Sequence, residues 1–171
     1  SRDGGFSEYA RVPAEWVLRL PEGLSAFEAM ALGTAGLTSG MAIDRLERNG
    51  LQPTQGPVIV TGATGGVGSV AINLLSEKGY EVWALTRKEK EIDYLKNLGA
   101  SEVILANTLD LTKIKPIDKS VWAGAIDNLG GDVLSWITSQ MKWGGSIASI
   151  GLAASHQYNT TVMPFILRSV S

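Results

Sequence analysis

Apolar and polar positions along this chain follow two rhythms. Val58-Ile59-Val60-Thr61 is a short β-branched run, the pattern of a strand buried on both faces of a parallel sheet. After glycines 62, 65, 66 and 68, the apolar residues Val67, Val70, Ala71, Leu74 and Leu75 recur at helical spacing. They predict a helix on that sheet, running to the stop at Lys78-Gly79. The alternation then repeats. Glu81–Thr86 reads as a strand, and Lys88–Leu98 as a helix with Ile92, Leu95 and Leu98 inward, stopped by Gly99. Glu102–Leu105 is a third strand, and the polar stretch 107–119, interrupted by Pro116, is a loop. Trp122–Asp127, a helix over Asp132–Met141 and Ser146–Ile150 complete the series. Strands alternating with helices of this length specify an α/β fold, a doubly wound parallel sheet of order 3-2-1-4-5 with right-handed crossovers. A sixth strand would have to follow Ser171.

Upstream, Ser25-Ala26-Phe27-Glu28 has the form of a capping box opening a helix that reaches Gly33. A second helix starts near Thr34, carries Leu37, Met41, Ile43 and Leu46 on its apolar positions, and ends at Asn49-Gly50. Residues 4–20 read as two strand-like pieces, Phe6–Val12 and Trp16–Leu20, around Pro13. Two short strands cannot bury a face alone, so they are expected to belong to a neighbouring domain. The chain begins at Ser1 rather than methionine and stops just after an apolar turn, and it is expected to be a fragment. The expected division is 1–24, a tail of another domain, and 25–171, the sheet domain.

Composition narrows the chemistry. A net charge of −2 on 171 residues argues against nucleic acid or an anionic membrane as partner, and no apolar run is long enough to span a bilayer. The absence of cysteine excludes disulfides and thiolate metal sites and fits a cytoplasmic location. One histidine is too few for a histidine-built metal site, and makes a Ser-His-Asp triad improbable.

A strand, a glycine turn and a helix hold a dinucleotide diphosphate on backbone N–H groups at the positive helix end. Aligned on G-x-G-x-x-G, the turn reads A-x-G-x-x-G at Ala63, Gly65 and Gly68. Gly65 lets the backbone approach phosphate, and Gly68 lets helix and strand pack closely. The position that selects the dinucleotide lies about 20 residues on, where an acid marks NAD. Here it holds Thr86-Arg87-Lys88, a hydroxyl and two cations suited to a 2′-phosphate, so NADP (NADPH) is the expected cofactor. Two cations at a helix N-terminus also oppose the dipole, a conflict that an anion would relieve.

Several stretches carry a family resemblance. Gly4–Tyr9, Ala31–Thr38 and Thr61–Gly68 resemble medium-chain dehydrogenase/reductases of the zinc-free, quinone-oxidoreductase-like branch. Val121–Asp127 and Thr160–Arg168 resemble its NADPH-dependent acrylyl-CoA reductase subgroup. The resemblance implies a Rossmann-type domain, lacking its sixth strand, behind the tail of a GroES-like catalytic domain, with the active site between them. It implies an oxidoreductase that reduces the C=C bond of acrylyl-CoA to give propionyl-CoA. A quinone or small enone as acceptor, or a non-catalytic NADP-binding module, are the alternatives. It implies a homodimer for the full-length protein, leaves this chain's own state open, and implies that this chain alone binds NADPH without turnover. Position by position, Thr64, Gly65, Gly66 and Val67 line the diphosphate, and Thr86, Arg87 and Lys88 the 2′-phosphate. Subgroup members often carry Ser-Gly-Arg at the latter three, so the arginine is displaced by one and Lys88 takes the cationic role. Leu152 approaches the nicotinamide, Ile166 lies on the segment closing over the ring, and Thr34 also approaches it; for Leu152 and Ile166 core packing is the alternative. His156 and Tyr158 are read as solvated loop residues, and Asp127-Asn128 as either ligand-edge or helix-capping residues.

Overall fold

A computed structural model describes residues 8–171. The chain divides into two compact units, Ser1–Gly33 and Thr34–Ser171. In the first, the expected strands do not form among the described residues; the part of Phe6–Val12 before residue 8 lies outside them. Pro13 instead caps a single 3₁₀ turn, Ala14–Trp16. Alternation supplies only the side-chain half of a strand; the other half is a ladder of backbone hydrogen bonds, and no strand is formed within residues 8–20. The capping box is present: the Ser25 N–H donates to Glu28 Oε2 at 2.8 Å and the Glu28 N–H to Ser25 Oγ at 3.2 Å. The Ser25 hydroxyl, and after it the Ser25 N–H, hold the Glu28 carboxyl below the usual carboxylate range. Helix α1 (Ala26–Arg48) opens here and is interrupted at Gly33, whose φ of 46° and ψ of −146° are open to glycine alone.

In the second unit, α1 resumes at Thr34 and runs to Arg48, with Gly50 at φ 97° in the turn beyond it. Its buried face is Ser39, Ala42, Ile43 and Leu46, whereas Leu37 and Met41 are exposed. The expected stripe was therefore half right. It followed apolar residues, but small residues, Ser39 and Ala42, take the positions where the helix lies closest to its neighbours. The Ser39 hydroxyl sits 2.8 Å from the Ala35 carbonyl and 2.9 Å from that of Val67.

Five parallel strands follow, β1 (Val58–Thr61), β2 (Val82–Thr86), β3 (Glu102–Leu105), β4 (Trp122–Asp127) and β5 (Met141–Ser149). Their order is β3-β2-β1-β4-β5, as the alternation predicts. Between them run α2 (Gly66–Glu77), α3 (Ile92–Asn97) and α4 (Gly131–Ser139), with α5 (Met163–Arg168) after β5. Val58 and Val60 enter one core with Ala71, Ile72, Leu75 and Leu95; Ile59 enters the other with Trp122, Ala125 and Ile137. β1 is thus wholly buried, and each of its apolar side chains contributes roughly 1.5–3 kcal/mol. On the second face Trp122 meets Trp83 and Trp136 edge-on, ring centroids 5.3 and 5.8 Å apart.

Three expectations need correction. On α2, Ile72 rather than Leu74 faces the core, because Gly68 brings the helix so close to the sheet that the contact line shifts along it. The helix expected from Lys88 begins as a 3₁₀ turn, Glu89–Glu91, and is α-helical only over Ile92–Asn97. So short a helix has a small dipole, and the argument from cations at its N-terminus loses weight. β5 starts at Met141, five residues early, through a bulge in which Met141 pairs with Trp122 and Ser146 with Gly124. The last residue lies against β5, with the Ser171 N–H donating to Gly145 O at 3.0 Å and the Ile147 N–H to Ser171 O at 2.7 Å. Among the described residues no helix is long and apolar enough to cross a membrane.

Candidate functional site

Because the strands are parallel, Thr61, Thr86, Asp127 and Ser149 end at one edge of the sheet, and three hollows lie along it. The central one, about 330 Å³, is floored by the turn between β1 and α2 and lined by Thr64, Gly65, Gly66, Val67 and Asn128 among others. Gly62 takes φ 58°, and its carbonyl accepts the Gly65 N–H at 2.9 Å. A Cβ on Gly68 would stand 2.4 Å from that carbonyl oxygen and 2.8 Å from Ala63 Cα, so helix and turn meet backbone to backbone. No side chain caps α2 at Gly65. The first-turn N–H groups therefore have neither intrahelical acceptors nor a cap, and they carry the positive end of the helix dipole. This is a cradle for an anion.

The second hollow, about 120 Å³, adjoins the first through Gly62, Thr64 and Leu129 and reaches Thr86, Arg87 and Lys88. Thr86 is buried at the end of β2, and its hydroxyl accepts the Lys88 N–H at 3.1 Å, which fixes the bend. Arg87 and Lys88 are exposed, and no carboxylate pairs with either among the described residues. A phosphate there would meet two uncommitted cations.

The third hollow, about 300 Å³, lies past β4 and β5 and is lined by Gly130, Gly131, Gly151, Leu152, His156 and Tyr158 among others. Leu152 is exposed on its wall. Tyr158, read from the sequence as solvated, places its hydroxyl 2.7 Å from Thr138 Oγ1. Thr34 is exposed at the restart of α1; its neighbour Ala35 has its Cβ 3.1 Å from where a Cβ on Gly66 would sit, which puts this helix against the glycine turn. Ile166 is exposed on α5 and lines none of the three hollows. The structure thus gathers Thr64, Gly65, Gly66, Val67, Thr86, Arg87 and Lys88 along two adjoining hollows, sets Leu152 in a third, and leaves Ile166 apart.

Sequence reasoning did not single out Thr61. Its hydroxyl donates to Asp127 Oδ1 at 2.7 Å, and the Gly130 N–H donates to Asp127 Oδ2 at 2.8 Å, so Asp127 braces the turn before α4, a helix that has no side-chain cap of its own. The available signal was a polar residue closing each of two neighbouring apolar strands.

Among the described residues no group of three or more histidine, aspartate or glutamate side chains is placed to hold a metal ion. With no cysteine and one exposed histidine, the donor set does not fit a zinc centre.

The sequence profile of the zinc-binding dehydrogenase family matches residues 66–171. The acrylyl-CoA reductase AcuI of Ruegeria pomeroyi is 46% identical over 168 residues, 98% of this chain and 51% of that protein. The crystal structure of Bacillus subtilis yhfP with NAD bound superposes with a TM-score of 0.96 at 50% identity, covering 100% of this chain and 52% of the other. The yhdH oxidoreductase of Salmonella enterica in complex with NADP superposes with a TM-score of 0.93 at 46% identity, covering 98% and 51%. The chain spans about half the length of the relatives it matches.

Proposed function

Since the chain belongs to the zinc-binding dehydrogenase family, we propose that it is the NADPH-binding part of an oxidoreductase that reduces the C=C bond of acrylyl-CoA to give propionyl-CoA. The observation that carries this reading is the uncapped glycine turn of α2 beside two cations at the end of β2 that no carboxylate pairs with among the described residues. The similarity to a Ruegeria pomeroyi acrylyl-CoA reductase supplies the substrate class.

The residues fit the cofactor. The first-turn N–H groups of α2 take the diphosphate, and the missing Cβ at Gly65 and Gly66 leaves the approach open. Thr86, Arg87 and Lys88 take the 2′-phosphate; each charge-assisted hydrogen bond there stabilises the complex by roughly 1.5–3 kcal/mol where it is shielded from water. Solved relatives carry NADP in one case and NAD in another, so the residues at the end of β2 decide, and the acid that would repel a 2′-phosphate is absent from positions 86–88. In this reading Leu152 lies toward the nicotinamide at the β5 exit, with Thr34 beside the ring; Ile166, which lines none of the three hollows, is given no contact with it. When bound, the cofactor supplies a hydride to the β-carbon of the unsaturated thioester, a proton being added at the α-carbon.

Residues 1–24 belong, in this reading, to the tail of a GroES-like domain that supplies the proton donor and thioester-polarising groups. The complete protein works as a cytoplasmic homodimer. Steady-state NADPH oxidation by the complete protein tests the proposal: turnover with acrylyl-CoA well above that with quinones supports it. Turnover with quinones alone assigns the other acceptor, and saturable NADPH binding without turnover on either assigns a non-catalytic module.

A further inference from the structure

The carboxyl edge of the sheet holds a buried ionisable group that the proposed function does not use. Asp127, the last residue of β4, is fully buried, and no cation pairs with it among the described residues. Its Oδ1 accepts the Thr61 hydroxyl at 2.7 Å and the Leu129 N–H at 3.2 Å; its Oδ2 accepts the Gly130 N–H at 2.8 Å. The Thr61 hydroxyl accepts the Asn128 N–H at 2.9 Å, so its single proton is committed to the carboxylate. Asn128 Nδ2 closes the circuit by donating to the Thr61 carbonyl at 2.7 Å. The main-chain carbonyl of Asp127 accepts the N–H groups of Ile150 and Gly151 at 2.8 and 3.1 Å. One residue therefore ties together the end of β1, the turn into α4 and the exit from β5.

The Thr61–Gly62 peptide opens the glycine turn, and it is held at its oxygen by Asn128. A Cβ on Gly62 would stand 3.1 Å from Asn128 Cβ, so the turn rests directly on this circuit. The Gly62 carbonyl then receives the N–H of Gly65, the residue that opens α2. Contact is continuous from the carboxylate to the amides that face the central hollow. Burying a carboxylate without a cation is costly, and such groups are weak contributors to stability. Fixing the direction of amides before a ligand arrives is a use that an apolar pair could not serve.

We propose that Asp127, with Thr61 and Asn128, is a positioning latch that presets the glycine turn for a diphosphate and keeps the β5 exit in register with it. The inference rests on the dinucleotide reading above. An asparagine at 127 offers one acceptor oxygen and an NH₂ group. It cannot serve donors on both sides, and one of them is turned away.

The test uses the full chain and the variants Asp127→Asn, Thr61→Val and Thr61→Ser, with two probes. NADPH has the diphosphate; adenosine 2′-monophosphate lacks it and engages only the cations at the end of β2. Asp127→Asn and Thr61→Val are expected to raise the NADPH Kd roughly tenfold or more, the loss of one well-aligned charge-assisted contact. The affinity for adenosine 2′-monophosphate, followed by NMR titration, is expected to stay within about twofold, as for independent sites. Thr61→Ser, which keeps the hydroxyl, is expected to recover NADPH binding. A parallel loss for both probes, or wild-type NADPH affinity in both variants, overturns the latch. Should Asp127→Asn fail to fold, the Thr61→Val and Thr61→Ser pair decides alone. Wild-type chain that binds no NADPH overturns the dinucleotide reading itself and the latch with it, an outcome distinct from variants that bind as the wild type does.

Discussion

Replacing Gly68 by alanine puts the helix–turn contact under direct strain. The added Cβ would lie 2.4 Å from the Gly62 oxygen, 2.8 Å from Ala63 Cα and 3.0 Å from Ala63 C. All three are main-chain atoms of the turn, so no side-chain rotation relieves the overlap and α2 must move off the sheet. Overpacking of this kind costs about 1–3 kcal/mol, and contact with backbone places it at the upper end. Alanine returns roughly 1 kcal/mol of helix propensity, leaving a net loss of about 2 kcal/mol. For a domain of this size that lowers Tm by roughly 4–8 °C. Gly40, within α1, is the control: nothing lies within 4 Å of its Cβ position, and Gly40→Ala is expected to gain roughly 0.5–1 kcal/mol. Urea denaturation of both variants reads the difference, and NADPH titration of Gly68→Ala reads the second consequence, a loss of affinity as the first-turn amides shift. A Gly68→Ala protein with the wild-type midpoint and affinity refutes the reasoning.

Other outcomes follow from single contacts. Arg87→Ala combined with Lys88→Ala is expected to weaken NADPH binding strongly and leave NADH nearly unchanged; equal losses for both in calorimetry would defeat the assignment of the 2′-phosphate. Tyr80 is buried, with its hydroxyl 3.2 Å from Glu47 Oε1 and 3.1 Å from the Leu51 carbonyl oxygen. Burial first, and the Glu47 carboxylate second, push this phenol up to about 12. The folded state keeps a proton that the unfolded chain releases near pH 10, so stability present below about 10 is lost as pH rises toward about 12. Urea midpoints across that range should fall less steeply in Tyr80→Phe, and equal slopes would count against the linkage. Arg168 donates to the carbonyls of Ser139, Met141 and Asp118 at 3.2, 2.9 and 2.5 Å, pinning α5 to β5 and the loop before β4. Arg168→Met should destabilise by roughly 2 kcal/mol in urea, with Arg168→Lys recovering little because an ammonium lacks the fork; full recovery by lysine would reject that geometry.

What the sequence showed clearly was what depends on local pattern. β1 and β4 are apolar runs bounded by turn residues, and helices that alternate with such runs admit few topologies, so the strand order could be read directly. The capping box at Ser25 and Glu28 and the glycine stops after α1, α2 and α3 are local chemistry and were equally plain. Facing was harder. On α1, Leu37 and Met41 look like core residues but are exposed, and Ser39 looks like a surface residue but is buried, because closeness of packing selected for size ahead of polarity. The early start of β5 depends on a bulge that no spacing rule encodes. Residues 8–20 alternate like strands but hold a 3₁₀ turn, Ala14–Trp16, and no strand. At the site, the glycine turn and Thr86-Arg87-Lys88 were visible because their residue types are unusual where they stand. The circuit of Thr61, Asp127 and Asn128 was not, since it joins residues 66 and 67 positions apart that become neighbours only when β1 and β4 pair.

The central claim is that the turn after β1 and the bend after β2 together hold NADPH. The most direct test follows the backbone amide resonances of the full chain as NADPH is added. The expected result is a saturable shift of Gly65, Gly66 and Val67 together with Arg87 and Lys88, with NADH moving the first group and sparing the second. Saturating NADPH that leaves both groups unmoved, or that instead shifts residues of a fourth hollow, of about 300 Å³ and lined by Lys115, Asp132 and Asn159 among others, would contradict the account.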